Sequence, residues 1–430
     1  MIRVLVATVF LVVASAQAFA LEVKEITSTS GIRAWFVERH VAPVVHVRFA
    51  FEGGSTSDEK GFEGTAMLMS GMLNEGAGPY DGSSYRQKVR DIGMWLGFDQ
   101  GVDYFYGYMS VPVQYRKEAA DLVKITLAEP HFPDEAIARM RDYYLSSERA
   151  RQQNPEYIAG RASLAQALPG HPYVDAFTLA PQGLPHVGRK ELEEMRKRSF
   201  VLSRLNVVIV GDMSEAEAAA YLDQLFASLP QGEPLAPPPV ATLAPGPQLE
   251  VIPAETAQTF FEFRLQGIPE TDPDYVAATV ATQIVEETLN ELIREQRGMS
   301  YGVNFQQGDY RRMHVLRGRF STANATAGAA LGEVRRGLGL LLNPGVTNEQ
   351  FSKAKAILKG QIALGFDAGS SMASVLLDQK ISGLDSGFAA RRESLIDQVT
   401  IEAVQRVIAR LIDPGKLLVV AAGKPEGLSP

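Results

Sequence analysis

The 430-residue chain contains no cysteine. That excludes disulfides and thiolate metal sites, and it suits an oxidising compartment without requiring one. It also excludes lipid attachment at an N-terminal cysteine. There is no long basic run, and the net charge of -8 is spread over intermixed acidic and basic residues. Neither a nucleic-acid surface nor an anionic-membrane surface is therefore expected. Beyond the N-terminal segment no stretch is long and apolar enough to span a bilayer, which takes about 20 apolar residues. The histidines, at 40, 46, 131, 171, 186 and 314, include no pair with ligand spacing on a helix.

What is present is ordinary for a globular protein: 46% hydrophobic and 21% charged residues. The length predicts two or more domains. Residues 1–20 read as a secretory signal, with Arg3, the apolar run Val4 to Val13 and the small-x-small site Ala18-Phe19-Ala20. Cleavage near Ala20 would leave a periplasmic or secreted protein with no stable membrane anchor. Six prolines fall within 231–247, which forbids a helix or a central strand and fits an extended linker. It separates two expected domains, 21–230 and 248–430.

The two halves look like repeats of one another. Val44-Val-His-Val-Arg-Phe-Ala50 has a counterpart in Thr259-Phe-Phe-Glu-Phe-Arg-Leu265. The helix start at Glu129 has one at Asn343, and the buried-type strand ending at Gly211 has one ending at Gly423. The three offsets are 215, 214 and 212 positions, close enough to argue for duplication. Strands are expected over 44–51, 103–111 and 205–211. Helices are expected over 62–75, 83–93, 114–127, 133–152 and 214–228. The fold class expected is α+β, two homologous domains, each with helices packed on one face of a largely antiparallel sheet.

Two segments carry the chemistry. On a helix, positions i, i+3 and i+4 share a face. In Gly64-Thr-Ala-Met-Leu-Met-Ser-Gly71 that face holds Met67, Ser70 and Gly71. Met67, Met69 and Met72 read as a flexible packed face of the core. The second segment is Leu292 to Gly302, with Arg294 seven residues before Tyr301. By spacing alone it is a helix-to-strand connection with a salt-bridged Arg and a packed Tyr. Arg297 reads as structural, Arg311 and Arg312 as a solvated strand edge, and Gly170-His171-Pro172-Tyr173 as structural.

Taken with the repeat and the linker, these segments resemble the insulinase-like (pitrilysin-type) zinc peptidases, a family that includes mitochondrial processing peptidase. In that family a Gly-x-Ala lead-in is followed at once by His-x-x-Glu-His. The resemblance implies that the zinc-motif positions here are Met67, Ser70 and Gly71. Aligned on Asn154-Pro155, the third ligand's position is Ser147. None of these residues can bind zinc in the family's way or act as a general base. Glu148, one residue on, reads as a solvated charge.

By the same resemblance Arg294 and Tyr301 face the zinc site across an enclosed cavity and hold the substrate backbone. A guanidinium offers a fixed fork of donors to carbonyl or carboxylate oxygens, and a Tyr hydroxyl can donate to a developing oxyanion. The fold implied is a clamshell of two similar domains. The function implied is a non-catalytic, substrate-binding subunit acting on peptides. It would hold no cofactor itself, with zinc in a homologous partner subunit. The alternatives are a non-hydrolytic peptide-binding or structural member, and a hydrolase with a metal site of another kind.

Overall fold

The computed structural model describes residues 21–178 and 180–428. The signal-like segment 1–20 lies outside the described residues. Two sheets organise the chain. The first is built from β1 (Lys24–Thr27), β2 (Arg33–Glu38), β3 (Val44–Glu52), β4 (Trp95–Gln100), β5 (Tyr104–Pro112) and β6 (Leu205–Gly211), in the order β1-β2-β6-β3-β5-β4. The second is built from β7 (Gln248–Pro253), β8 (Gln258–Gln266), β9 (Asn304–Asp309), β10 (His314–Ala323) and β11 (Leu418–Gly423), in the order β9-β10-β8-β11-β7.

The second order, read backwards, is the first without β1. The directions match as well: β2 runs parallel to β6, β7 runs parallel to β11, and all other pairings are antiparallel. The duplication extends to single residues. Phe49 lies opposite Gly107, and Phe263 lies opposite Gly318. A Cβ at Gly107 would come within 2.1 Å of the Phe49 ring, and one at Gly318 within 2.0 Å of the Phe263 ring. Each glycine leaves room for an aromatic ring lying across the sheet.

The helices that matter for the site are α1 (Thr65–Met72), α2 (Arg116–Ala128), α3 (Asp134–Arg151), α4 (Pro155–Ala167), α5 (Glu215–Phe226) and α6 (Gly369–Ile381). One face of the first sheet, with Val45, Val47, Phe49 and Phe51, packs on α1, α2 and α5. Its other face, with Trp35, Val37, Ala50, Val208 and Val210, is covered by Met372, Ala373, Leu376 and Leu377 of α6, which belongs to the second half. Conversely, α4 of the first half covers Val420 and Ala422 of the second sheet through Ala159 and Ile158. Helices therefore flank both faces of each sheet, where the sequence pointed to one face. The second covering layer is supplied by the other half of the chain.

The exchange is pinned by matching polar contacts. Arg48 on β3 donates to Ser374 of α6 at 3.1 Å, and Arg264 on β8 donates to Ser163 of α4 at 2.8 Å. Residues 231–247 carry no helix or strand.

The expected elements stand within a few residues of their limits, apart from the motif helix, which is shorter than 62–75. Gly64 sits at φ 98°, a left-handed conformation that suits glycine and ends the helix there. At the other end the helix runs out at Leu73, shortly before Gly76 at φ 114°.

Candidate functional site

Helix α1 is nearly enclosed. Ala66, Leu68, Met69 and Met72 are fully buried, as the core reading of the methionines anticipated, and Met67 is partly buried against the same cluster. A helix apolar on most sides belongs inside a protein. Its first turn is held by Asp58, whose carboxylate accepts from Gly64 N at 2.7 Å and Ala66 N at 2.9 Å. Such N–H groups at a helix start favour the ionised acid. Burial outweighs them and pushes the Asp58 carboxyl up to about 7.

The sign of the linkage follows from that shift. The folded chain holds this proton more tightly than the unfolded chain, whose carboxyl titrates near 3.8. The Asp58 contribution to stability is therefore full at low pH and lost as pH rises through about 7. Thermal midpoints measured from pH 5 to 8 should fall more steeply for the native chain than for Asp58→Asn. Parallel curves would show that another group titrates.

A cavity of about 1100 Å³ lies between the two halves. Met67, Ser70 and Ser147 line it from the first half, and Tyr310, Arg311 and Arg312 from the second. The structure thus brings to one cavity three of the four positions that the resemblance aligns with the zinc motif. The fourth, Gly71, is covered. A Cβ there would lie 2.5 Å from Met140 Cε and 2.8 Å from Tyr144 Oη. Burial raises the pKa of the Tyr144 hydroxyl. Ser70 Oγ also donates to Met67 O at 2.8 Å.

The family's zinc does not fit these residues. The wall offers a thioether and two hydroxyls, and Tyr144 with Met140 fills the space a side chain at 71 would need. Among the described residues no group of three or more His, Cys, Asp or Glu is placed to hold a metal ion.

Glu148 is not the solvated charge expected of it. Its side chain is 15% exposed, and its carboxylate accepts from Tyr157 Oη at 2.7 Å and Arg161 Nη1 at 2.7 Å. It braces α3 against α4 rather than offering a free ligand. Arg311 also departs from the expected solvated edge: it pairs with Glu52 at 3.0 Å and its backbone N donates to Asp103 at 3.0 Å. Arg312 lies beside it on the cavity wall, its backbone N donating to Tyr173 Oη at 3.0 Å. Tyr173 in turn donates to Asp103, so the segment around His171 is structural and ties the halves together.

Tyr144 and the Glu148 brace escaped the sequence reading. A signal for them existed, since Tyr144, Ser147, Glu148 and Arg151 have the i, i+3, i+4, i+7 spacing of one helix face, and all four line the cavity.

The Arg–Tyr segment lies elsewhere. Arg294 sits in a π-helical turn, Glu291–Gln296, a geometry often found at functional sites. Its side chain is half exposed and pairs with the adjacent Glu295 at 2.7 Å. Tyr301 is 91% exposed, so it is not the packed Tyr that spacing suggested. Neither residue lines the cavity, so within this chain they do not face the motif helix across it. Arg297 pairs with Glu333 at 3.2 Å, a structural role as expected.

The fold is a duplicated α+β one whose motif helix presents Met67 and Ser70 to the cavity, while Met140 and Tyr144 cover Gly71. Residues 186–358 match the Peptidase M16 inactive domain. The chain is similar to the insulinase-like M16 peptidases, non-peptidase members among them. It is 22% identical over 388 residues to the non-peptidase homolog YmxG of Helicobacter pylori, covering 89% of each chain. It is 20% identical to the mitochondrial-processing peptidase subunit beta of Lentinula edodes, covering 88% of this chain and 84% of that one. Among solved structures, a peptidase M16 inactive domain from Pseudomonas fluorescens superposes with a TM-score of 0.87 at 23% identity, over 95% of this chain and all (100%) of that one. The periplasmic protease PqqL from Escherichia coli gives 0.80 at 14% identity, over 94% of this chain and 46% of that longer chain. The structural likenesses establish the fold.

Proposed function

We propose that this chain is an exported, non-catalytic subunit that holds peptide substrate for a zinc-bearing homologue. The observation that carries the reading is the outward presentation of Arg294 and Tyr301. Their side chains are spent on almost nothing within the fold: one pairs with its sequence neighbour, and the other stands in solvent. A guanidinium fork and a phenol presented in this way suit a peptide backbone lying between two subunits. The partner would supply the metal and the general base, and this chain would supply donors that strengthen as charge develops on the substrate carbonyl. The Ala18-Phe19-Ala20 site and the likeness to a periplasmic protease support placement in the periplasm or outside the cell.

The test is Arg294→Ala, assayed with the zinc-bearing partner present. The expected result is a fall in kcat/KM of about 100-fold, with unchanged assembly and an unchanged unfolding midpoint, because the residue is exposed. Unchanged turnover would sink the role and favour a structural, non-hydrolytic member of the family.

A further inference from the structure

We propose that the cavity between the halves is itself a binding site, for a carboxylate carried on an aromatic or apolar body. The proposal does not rest on the roles of Arg294 and Tyr301, which lie outside the cavity.

Two guanidiniums carry the argument. Arg151 is the last residue of α3, in the first half, and Arg312 lies in the turn between β9 and β10, in the second. Both line the cavity, Arg151 exposed and Arg312 half-buried. Among the described residues neither side chain has a hydrogen-bond or ion-pair partner. The other charges on the wall are already engaged. Glu148 is held by Arg161 and Tyr157, and Asp103 by Tyr173 and the Arg311 backbone. Arg311 is paired with Glu52, and both His314 and Glu270 have partners. Asp99, exposed on β4, accepts among the described residues only from the neighbouring Gln100 N, at 2.8 Å. The uncommitted charge is thus one guanidinium from each half, with a single exposed acid against them.

The rest of the wall suits an apolar body. Tyr104, Tyr144, Phe177 and Tyr310 contribute rings, and about 1100 Å³ is room for several residues of a ligand. Aromatic walls with a few convergent polar groups are the usual composition of a small-ligand site. A guanidinium presents paired donors that match the two oxygens of a carboxylate. Bare inorganic anions would leave the rings uncovered. A free peptide C-terminus and a small aromatic acid share the required chemistry.

The experiment is calorimetric titration of the full chain with three probes: Ala-Ala-Phe bearing a free carboxylate, the same peptide as its C-terminal amide, and 3-phenylpropionate. The acids should bind, and the amide should bind at least about tenfold more weakly than the acid peptide. Arg151→Gln and Arg312→Gln should each weaken acid binding by about tenfold while leaving the unfolding midpoint unchanged. Arg149→Gln, on the same helix but off the cavity wall, should bind as the native chain does. Tighter binding of the peptide acid assigns the site to chain termini, and tighter binding of phenylpropionate assigns it to small acids. Equal affinity for acid and amide, no binding of either acid, or an equal loss in Arg149→Gln would overturn the proposal.

Discussion

Glu262→Ala is expected to lower stability by about 3–5 kcal/mol, read as a shift of the urea midpoint at constant slope. Glu262 is fully buried on β8. It accepts from Arg317 Nε at 3.0 Å and Nη2 at 2.6 Å, and it is also paired with Arg264, whose side chain is 7% exposed. The cluster sits under α4, where a Cβ at Gly160 would lie 3.3 Å from Glu262 Oε2. Removing the carboxylate leaves one buried and one partly buried guanidinium without their counter-charge. The loss is large because those charges stay desolvated, not because the intact pair is strongly stabilising. Glu255→Ala, which removes an exposed partner of Lys424, should change stability by about 0.5 kcal/mol or less. Similar losses in the two variants would show that the cluster is open to water.

Restoring the motif should fail for a steric reason. Gly71→His drives a side chain into Met140 and Tyr144, and overpacking of this kind costs about 1–3 kcal/mol. Met67→His, Ser70→Glu and Gly71→His combined, with Ser147→Glu, should still not yield stoichiometric zinc by metal analysis. Adding Tyr144→Ala should recover part of the stability, because it vacates the space that Gly71→His needs. Stoichiometric zinc with Tyr144 in place would mean that the ring moves aside readily, and that the site is merely stripped of ligands rather than closed.

Much of this was visible in the chain itself. Strand-like runs marked β3, β5 and β6, and the near-constant offsets between halves anticipated a shared topology, which the structure extends to the Phe49–Gly107 and Phe263–Gly318 pairs. That Met67, Ser70, Gly71 and Ser147 stand at the positions the resemblance aligns with zinc ligands was legible in the sequence. What filled their place was not visible, because Tyr144 meets Gly71 only when α3 lies against α1. The exposure of Tyr301 was also hidden, since burial is decided by what packs over a residue and not by its spacing. Glu148 and Arg311 were misjudged for the same reason. A charged residue in a polar stretch looks solvated until its partners arrive from distant parts of the chain, as Arg161 and Glu52 do.

The exchange of covering helices also orders the assembly of the molecule in time. The first sheet has all its strands once Gly211 has been made, yet the helix that covers its outer face ends at Ile381. Until then Trp35, Val37, Val208 and Val210 lack the apolar cover of Met372, Ala373, Leu376 and Leu377. An N-terminal half emerging from a ribosome thus waits for covering residues as far on as Ile381, with one side incompletely covered, a state prone to aggregation. Each half thus supplies, within a single chain, the cover that the other half's sheet would otherwise lack.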